Sequence, residues 1–247
     1  MKMEWRRDQP TAPGIQREIR RIALIGNFPP RKCGISTFTE GVHNALKAAF
    51  PTAEIDVVAM LDKDSVYDFP APVKATIRQD DHDAYRAAAA TINAMRPDVI
   101  CVQHEFGIFG GPAGAWLLDL LDALDAPVVT TLHTVLSDPN ESQRRVTLGL
   151  AHRSSRLIVM SDRGAGILRE TYAIPAHRIA VVQHGVPDRP FADSAAFKDA
   201  LGLGRHELLF TFGLLSPNKG IEHMIDAMPR IVAARPDALY LVLGATH

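Results

Sequence analysis

The chain from Leu208 to Glu222 reads LLFTFGLLSPNKGIE. An apolar run of strand length, residues 208–212, is followed by Gly213, a short polar segment and a helical pattern that begins near Lys219. The sequence therefore predicts a buried strand, a tight loop and a helix. Backbone N–H groups at a helix start carry partial positive charge and favour an anion, as does a lysine ammonium. We expect a phosphate-bearing ligand at this loop.

The same order of strand, loop and helix recurs through the preceding part of the chain. The predicted strands cover residues 21–26, 55–60, 73–77, 98–103, 127–132, 156–160 and 179–183. The predicted helices between them cover residues 36–50, 83–95, 113–124, 140–152 and 163–172. Thr37 and Glu40 have the spacing of a capping box at the start of the first helix. The strands are rich in Val and Ile and lack polar alternation, which is typical of a parallel sheet with helices on both faces. The pattern predicts an α/β protein with a doubly wound sheet.

Residues 186–205 interrupt this rhythm. Pro187, Pro190 and a short predicted helix are typical of a connection between two domains. We therefore expect an N-terminal Rossmann-like domain over residues 21–185, a linker, and a second unit that begins at residue 206. Residues 1–20 are polar and rich in arginine, and we expect them to form a loose N-terminal arm.

The second unit, residues 206–247, predicts one strand, one helix and one further strand, over residues 208–212, 219–234 and 239–243. A single right-handed βαβ unit covers only one face of its strands. We therefore expect exposed apolar surface near residues 239–243, and a second domain that is incomplete or covered by something else. The alternative, in which both strands extend the first sheet, stays open at this point.

Composition limits the classes of function. The 247 residues are 47% hydrophobic, which is enough for a large core, and 27 basic against 28 acidic residues give a net charge of −1. That balance argues against a nucleic-acid-binding protein, which needs a broad basic surface. Cys33 and Cys101 are far apart and form no C-x-x-C pair, as expected in a reducing compartment. Because we find no apolar signal segment or membrane-length segment, we expect a cytoplasmic protein.

Residues 27–36 follow the first strand and precede the first helix, where doubly wound folds bind their ligands. Asn27 begins the segment, and Gly34 lets a ligand approach the backbone. We expect the N–H groups of Ile35 and Ser36 to be free at the helix start. The segment lacks the G-x-G-x-x-G pattern of dinucleotide-binding proteins, and an ordinary loop is an equally good interpretation when it is taken alone.

The loop before the second-unit helix carries three polar candidates for phosphate binding, Ser216, Asn218 and Lys219. Lys219 is followed by Gly220 where a Walker A motif has Ser or Thr, so a P-loop enzyme that uses magnesium and ATP is disfavoured. The alternative interpretation makes Ser216 a helix N-cap and leaves Lys219 in solvent.

Polar residues also follow two neighbouring strands of the predicted sheet. His133 and Thr134 follow the strand over residues 127–132, and His104 and Glu105 follow the strand over residues 98–103. A neutral imidazole at this edge can bind a sugar hydroxyl or polarise a reacting group, although a local hydrogen-bond partner is the simpler role for a single histidine. His184 ends the last strand and is a candidate for a hinge or a cleft wall.

No spacing of the H-E-x-x-H kind occurs, so the sequence predicts no metal site. One local basic stretch, which is either a solvated face or a weak contact for lipid phosphates, contains Arg144, Arg145, Arg153 and Arg156.

Five ordered segments together resemble family 4 retaining glycosyltransferases of the GT-B fold, in particular their mannosyltransferase-like members. The match is carried by residues 28–38, 103–111, 132–134, 184–186 and 212–222. The resemblance implies two Rossmann-like halves, the first on the acceptor side and the second holding a nucleotide sugar. It also implies that the Gly34 loop and the Lys219 loop face each other across the donor diphosphate.

By position, the resemblance assigns Ser216, Asn218 and Lys219, with Gly34, to the donor phosphates, and His133 to catalysis beside the transferred sugar. The acceptor side or cleft would contain Asn27, His104, Glu105, Thr134 and His184. The implied reaction moves a hexose, for example mannose from GDP-mannose, to a hydroxyl of a carbohydrate or lipid-linked acceptor with retention at the anomeric carbon. The nucleotide sugar is a substrate, and no cofactor is implied.

Two departures from the family pattern affect this assignment. Leu214 and Leu215 stand where many members carry an arginine, so one of the usual phosphate cations is missing or supplied elsewhere. The family's pair of glutamates, seven residues apart, belongs to a part of the second domain that this sequence does not contain. A non-catalytic module that binds a sugar or phosphate is therefore the alternative function, together with an inactive fragment of such an enzyme.

Overall fold

The computed structural model describes residues 18–186, 188–213 and 215–244, with the side chain of Asn218 outside the described part. The N-terminal arm over residues 1–20 lies almost wholly outside these ranges, as do Pro187 and Leu214. Internal contacts divide the chain into two compact units with a boundary between Gly185 and Val186. Each unit is described by itself.

The first unit contains one seven-stranded sheet in which all neighbouring strands are parallel. The strands are β1 (Arg21–Gly26), β2 (Glu54–Leu61), β3 (Val73–Arg78), β4 (Val99–His104), β5 (Val128–Leu132), β6 (Arg156–Val159) and β7 (Ile179–Val181). Their spatial order is β3-β2-β1-β4-β5-β6-β7. The order reverses between β1 and β4, which is the position where open α/β sheets bind ligands. The predicted doubly wound parallel sheet is confirmed.

Helices connect these strands. They are α1 (Gly34–Ala49), α2 (His82–Met95), α3 (Trp116–Asp122), α4 (Glu141–Arg153) and α5 (Asp162–Tyr172). The predicted helix over residues 113–124 is shorter than expected, because a 3-10 turn at Pro112–Gly114 precedes α3. Ala113 has a φ of 54° and Gly114 a φ of 79°, so the backbone leaves the α-helical region just before Trp116.

Side chains of β1 alternate between two hydrophobic layers, as the pleat of a strand requires. Ala23 and Ile25 belong to the larger core cluster, which also receives α2 and α3. Ile22 and Leu24 belong to the smaller cluster with Phe28. The first unit therefore buries both faces of its sheet.

The start of α1 differs from the prediction. Cys33 is the N-cap residue, and its Sγ accepts from the backbone N–H of Ser36 at 3.3 Å. The helix begins at Gly34, so the proposed capping box of Thr37 and Glu40 is wrong. Thr37 instead lies within the first turn, and its hydroxyl is 3.5 Å from the Cys33 carbonyl oxygen.

This cap gives a testable prediction about stability. Cys33→Ala removes the acceptor for the Ser36 N–H, and we expect a loss of about 1 kcal/mol in the free energy of unfolding. Cys33→Ser keeps an acceptor at the same place and serves as the matched control. Urea unfolding of the three proteins measures the difference, and equal midpoints for the alanine and serine variants would show that the thiol does not cap α1.

The second unit contains α6 (Ser194–Ala200), β8 (Glu207–Phe212), α7 (Ile221–Ala234) and β9 (Ala238–Leu243). β8 and β9 pair in parallel as a separate two-stranded sheet, so the idea that they extend the first sheet is wrong. Phe210, Phe212 and Leu243 are 55%, 70% and 61% exposed, in agreement with the expected apolar surface. In the part of the chain that the structure describes, the helices are all too short or too polar to cross a membrane.

Candidate active site

Polar residues meet at the carboxyl edge of the first sheet, where β4 and β5 lie side by side. These strands pair with Gln103 opposite Thr131 and His104 opposite Leu132. The backbone N–H of His133 then donates to the carbonyl oxygen of His104 at 3.0 Å, which extends the ladder by one bond. The sheet itself thus brings the two predicted segments together.

His133 is held in one orientation. Its Nε2 lies 3.0 Å from Oε1 of Gln103, and the Phe38 ring meets the imidazole edge-on at a centroid distance of 4.6 Å. With Gln103 Oε1 as acceptor, Nε2 carries the proton and Nδ1 keeps a lone pair. Burial, and then the nearby His184, lower the pKa of His133 from 6.5 to about 4. The ring is therefore a neutral hydrogen-bonding group at physiological pH.

Glu105 and Thr134 form a second pair on the same edge. The Thr134 hydroxyl donates to Oε2 of Glu105 at 2.5 Å, and the backbone N–H of Phe106 donates to Oε1 at 2.9 Å. Both carboxylate oxygens therefore already accept one bond each. Glu105 fixes the Thr134 side chain and the start of the loop after β4.

His104 is enclosed in aromatic packing. It is 1% exposed, and its ring lies edge-on to Phe106 at 5.0 Å and stacked on Phe109 at 6.0 Å. Among the described residues, neither ring nitrogen has a hydrogen-bond partner. Burial, and then His133, lower the pKa of His104 from 6.5 to about 3. His104 is therefore a neutral, buried ring that packs beside the polar residues of this sheet edge.

These two histidines make stability depend on pH. Their pKa values in the folded protein lie below the unfolded value of 6.5, so the stabilisation is complete above pH 6.5 and is lost as pH falls towards 4. For each of the two histidines, the free energy of unfolding should fall by about 1.4 kcal/mol per pH unit below pH 6.5. We expect His104→Phe, which keeps an aromatic ring between its neighbours, to remove about half of this histidine-dependent slope.

Urea unfolding at pH 7, 6 and 5 measures the slope. His177, exposed in the 3-10 turn Ala176–Arg178, supplies the matched control His177→Ala, which should retain the wild-type slope. A His104→Phe variant with the full wild-type slope would show that His104 is not neutral in the folded protein.

The loop after β1 is closed by its own contacts. Asn27 is fully buried, its Oδ1 accepts from Arg31 at 2.8 Å and its Nδ2 donates to the Sγ of Cys33 at 3.2 Å. The expectation of a free Ser36 N–H is wrong, because that group donates to the same sulfur. Gly34 is different, since a Cβ at this residue would meet no atom within 4 Å. Open space at Gly34 is compatible with a ligand against the backbone.

His184, at the end of the first unit, is exposed, and its Nδ1 lies 2.7 Å from the carbonyl oxygen of Gly185. Its ring lies 5.0 Å from the ring of Phe38, which also contacts His133. Phe38 thus joins two predicted site residues, although the sequence analysis did not assign it a role. Gln103 was also given no role in the sequence analysis, although a polar glutamine at the end of an apolar strand could have indicated one.

In the second unit, α7 begins at Ile221, two residues later than predicted. Lys219 ends the 3-10 turn Pro217–Lys219, and Gly220 is the N-cap with a φ of 61°. The delay arises because the N–H groups of Lys219 and Gly220 donate within the turn, to Ser216 and Pro217. In line with the alternative interpretation, Ser216 occupies the N-cap position of the 3-10 turn with Pro217 at its first position, but its side chain makes no capping bond and it does not cap α7. The prediction that Asn218 binds phosphate concerns a side chain outside the described residues.

The Lys219 side chain folds back over the end of β8. Its Nζ lies 3.6 Å from the place that a Cβ on Gly213 would occupy, and Gly213 has a φ of 121°. A hydrogen bond from the Gly213 N–H to the Leu243 carbonyl oxygen ties this point to β9. Within the described residues Lys219 forms no ion pair, so its ammonium is available to an anion.

Three of the four arginines in the basic stretch contact other groups of the protein, and one of these contacts is the hydrogen bond from Arg156 to the Ser155 carbonyl oxygen at 2.9 Å. Arg144 donates to the Thr171 carbonyl oxygen at 2.9 Å and lies over the Tyr172 ring, and Arg153 pairs with Asp122. Because Arg144 and Arg153 already have partners in the protein, neither side chain requires a lipid phosphate as a partner. Among the described residues, no group of three His, Cys, Asp or Glu side chains is arranged to hold a metal ion.

Comparison with known proteins identifies the family of this chain. The model of Glycosyltransferase Family 4 matches residues 34–189, which is more than half of the chain. The chain belongs to glycosyltransferase family 4. A curated relative of this family 4 chain is D-inositol 3-phosphate glycosyltransferase of Segniliparus rotundus, 33% identical over 155 residues. The match covers 57% of this chain and 34% of the relative, so the family 4 chain spans about a third of the relative's length.

Solved structures show the same fold. Anabaena HepE, solved in complex with UDP and glucose, matches the family 4 chain with a TM-score of 0.64 and 16% identity, over 92% of this chain and 62% of HepE. An α,α-trehalose-phosphate synthase (UDP-forming) from Burkholderia vietnamiensis matches with a TM-score of 0.60 and 12% identity, over 93% of this chain and 66% of that one. The predicted α/β fold of the GT-B type is confirmed.

Proposed function

We propose that the protein transfers a hexose from a nucleoside-diphosphate sugar to a hydroxyl acceptor, with retention of anomeric configuration. The observation that carries this proposal is His133, a neutral imidazole fixed by Gln103 at the carboxyl edge of β5. Membership of glycosyltransferase family 4 supports the reaction class. The relative's name, which specifies a glycosyltransferase, and the neighbour solved with UDP and glucose also support it.

His133 would contact the sugar that is transferred. Its Nδ1 lone pair can accept from a sugar hydroxyl, because Nε2 is already used on Gln103. A hydrogen bond that strengthens as the sugar develops positive charge lowers the barrier without any proton transfer to the protein. Thr134, fixed by Glu105, is a second candidate for a hydroxyl contact on the same edge.

Lys219 would stabilise the leaving group. As the bond between the anomeric carbon and the phosphate oxygen breaks, its electrons remain on the nucleoside diphosphate, and an ammonium beside that charge stabilises it. The N–H groups in the first turn of α7, which begins two residues after Lys219, add a partial positive charge. The departing phosphate accepts the acceptor's proton, so the proposal assigns no protein base. The predicted apposition of the Gly34 and Lys219 loops stays a prediction.

The finer identities belong to the proposal as well. We propose GDP-mannose as one donor, a carbohydrate or lipid-linked hydroxyl as acceptor, and no cofactor beyond the nucleotide sugar. A cytoplasmic location is supported by Cys33 and Cys101, which are both free thiols. A weak peripheral membrane contact would be made by Arg145, which is exposed on α4.

A sugar-transfer assay tests the function. The protein is incubated with GDP-mannose, UDP-glucose or UDP-N-acetylglucosamine and a panel of hydroxyl acceptors, and the product anomer is read by proton NMR. Retained product from one donor would support the proposal. Heat of nucleotide binding in calorimetry without product from any donor would support the non-catalytic binding module instead, and an inverted product would exclude retention.

A further inference from the structure

Three side-chain rings, those of Phe38, His133 and His184, form a cluster in the first unit. The Phe38 ring lies 4.6 Å from the His133 imidazole, centroid to centroid, with an interplanar angle of 88°. It lies 5.0 Å from the His184 imidazole with an angle of 71°. His184 is also near enough to His133 to lower its pKa electrostatically. Phe38 has no role in the sequence analysis or in the proposed function, although it contacts both histidines.

The hydrogen bond to Gln103 fixes only part of the His133 ring. Nε2 lies 3.0 Å from Oε1 of Gln103, which places one atom of the imidazole. The torsion that turns an imidazole about its bond to Cβ has a broad, roughly two-fold preference. The plane of the ring therefore needs a further contact before Nδ1 is held in one direction.

Phe38 supplies a contact of this kind. Aromatic rings that pack edge-on stabilise each other beyond the area that they bury, and the contact restricts the plane of both rings. Phe38 and His133 are both half-buried, so the phenyl ring also covers part of the imidazole against water. A hydrogen bond accepted by Nδ1 is stronger where water is excluded. Both effects act on His133, and neither requires Phe38 to contact a ligand.

The backbone that carries Phe38 is itself held firmly. Phe38 lies about one turn after the start of α1, where Cys33 accepts from the Ser36 N–H at 3.3 Å. Ile35 packs against the larger core cluster. The buried Thr39 hydroxyl donates to the Ile35 carbonyl oxygen at 2.7 Å. These contacts fix the first turns of α1 and give the Phe38 ring a rigid support.

A glycine brings the supports of His133 together. Gly26 ends β1, which pairs with β4 so that Ile25 lies opposite Val102, the residue before Gln103. A Cβ at Gly26 would lie 3.0 Å from Cβ of Gln103 and 3.5 Å from Oγ1 of Thr39. The missing side chain lets α1 lie close to the end of β4. Phe38, which precedes Thr39, therefore reaches the imidazole that Gln103 holds.

We propose that Phe38 is a positioning residue for His133, whose imidazole it holds with Nδ1 presented to a ligand and one side shielded from water. The role of His133 in sugar transfer rests on the proposed function, whereas the positioning itself rests on the three-ring cluster. Phe38 acts through His133 and does not contact the reacting atoms. His184, which packs on the same phenyl ring, restricts Phe38 in turn.

Histidine NMR tests the positioning without any substrate. In protein labelled with 15N-histidine, the shifts of the two ring nitrogens report the tautomer and the protonation state. Comparison with His133→Gln identifies the His133 signals among those of the ten histidines. At pH 7 we expect His133 of the wild type to show one neutral tautomer with the proton on Nε2. In Phe38→Leu the two nitrogen shifts should move towards each other, because both tautomers become populated.

The same spectra give a second readout. In Phe38→Leu, water reaches more of the imidazole, so we expect the titration midpoint of His133 to rise by about one pH unit or more. His184→Ala leaves α1 intact and removes only the second contact of the Phe38 ring. It should move the nitrogen shifts of His133 in the same direction by a smaller amount.

Two variants serve as controls. Phe50→Leu removes an aromatic ring from the opposite end of the same helix, where Phe50 is the C-cap of α1, and should leave the His133 signals unchanged. Phe38→Tyr keeps an aromatic ring at the cluster and should retain the wild-type signals. Leucine is a strong helix former, so Phe38→Leu should fold, and circular dichroism checks this for every variant.

Steady-state kinetics tests the consequence for the proposed reaction. Phe38→Leu should lower kcat about tenfold, because a catalytic group that is slightly misplaced reacts more slowly. The KM for the nucleotide sugar should stay within about twofold of the wild type, whereas loss of a direct substrate contact would raise it. Phe38→Tyr should recover most of the rate.

The outcomes separate the positioning from the proposed function. A folded Phe38→Leu variant with wild-type His133 signals would overturn the inference, as would a raised KM with unchanged kcat or a Phe38→Tyr variant as slow as Phe38→Leu. If the His133 signals move as expected but the wild type yields no product from any nucleotide sugar, the transferase function fails and the positioning stands. If product forms and the signals move while kcat stays at the wild-type value, the transferase function stands and the role of Phe38 in it fails.

Discussion

Replacing Lys219 by Ala is expected to lower kcat/KM for sugar transfer about 100- to 1,000-fold, the usual effect of removing one donor to a developing negative charge. The ammonium lies over Gly213, where the missing side chain leaves room for an anion beside the backbone. Binding of the free nucleoside diphosphate should weaken by about 1.5 kcal/mol or more, because a charge-assisted contact is lost. Steady-state kinetics and calorimetry measure the two effects.

Two controls make the result specific to the ammonium. Lys198→Ala removes a lysine from α6 of the same unit and should change neither kinetics nor binding. Lys219→Arg keeps the charge and should retain more activity than the alanine variant. Because Lys219 forms no ion pair within the described residues, its loss should leave the free energy of unfolding within about 0.5 kcal/mol of the wild type. Unchanged nucleotide affinity in Lys219→Ala would remove this lysine from the donor site.

His133→Ala is expected to lower kcat about 100-fold while leaving the affinity for the nucleoside diphosphate unchanged. The imidazole lies on the first unit and, in the proposed mechanism, contacts only the transferred sugar, so its loss should appear in the chemical step. Burial keeps its pKa near 4, and the wild-type rate should therefore show no titration of this ring between pH 6 and 8. A pH profile of kcat checks that point.

His177→Ala serves as the matched control for His133→Ala, because His177 is an exposed histidine away from the carboxyl edge. Gln103→Leu provides a second comparison. It removes the acceptor that fixes the tautomer of His133 but leaves the imidazole itself present, so it should lower kcat by a smaller factor than His133→Ala does. A His133→Ala variant with wild-type kcat would show that the edge of β5 does not touch the reacting sugar.

Much of the fold follows from the sequence because alternating apolar runs and helical patterns depend on local periodicity. β1 has the predicted bounds, and α5 and β5 differ from prediction by one residue at their starts. The meeting of His104 and His133 was also predictable, since parallel strands end at the same edge of a sheet. Long, periodic segments and their shared edge require no knowledge of side-chain contacts.

The sequence predictions fail where a single side chain or a single backbone angle determines the local structure. A cysteine acts as the cap of α1, although Ser, Thr, Asp and Asn are the residues that sequence rules expect there. Gly220 adopts the left-handed conformation and delays α7, which periodicity cannot reveal. A cavity lined by Asp62, Gln79 and Trp116 combines residues from three separated segments, and only the folded sheet brings them together.

The closed packing of the first unit has a practical consequence for laboratory work. Both faces of its sheet are covered, whereas the two-stranded sheet after the boundary at Gly185 leaves aromatic side chains in water. In differential scanning calorimetry we therefore expect two transitions, and the second unit should unfold at a lower temperature than the first. Truncation of the gene near that boundary should yield a module small enough for solution NMR, on which the proposed sugar contacts of the first unit can be tested separately.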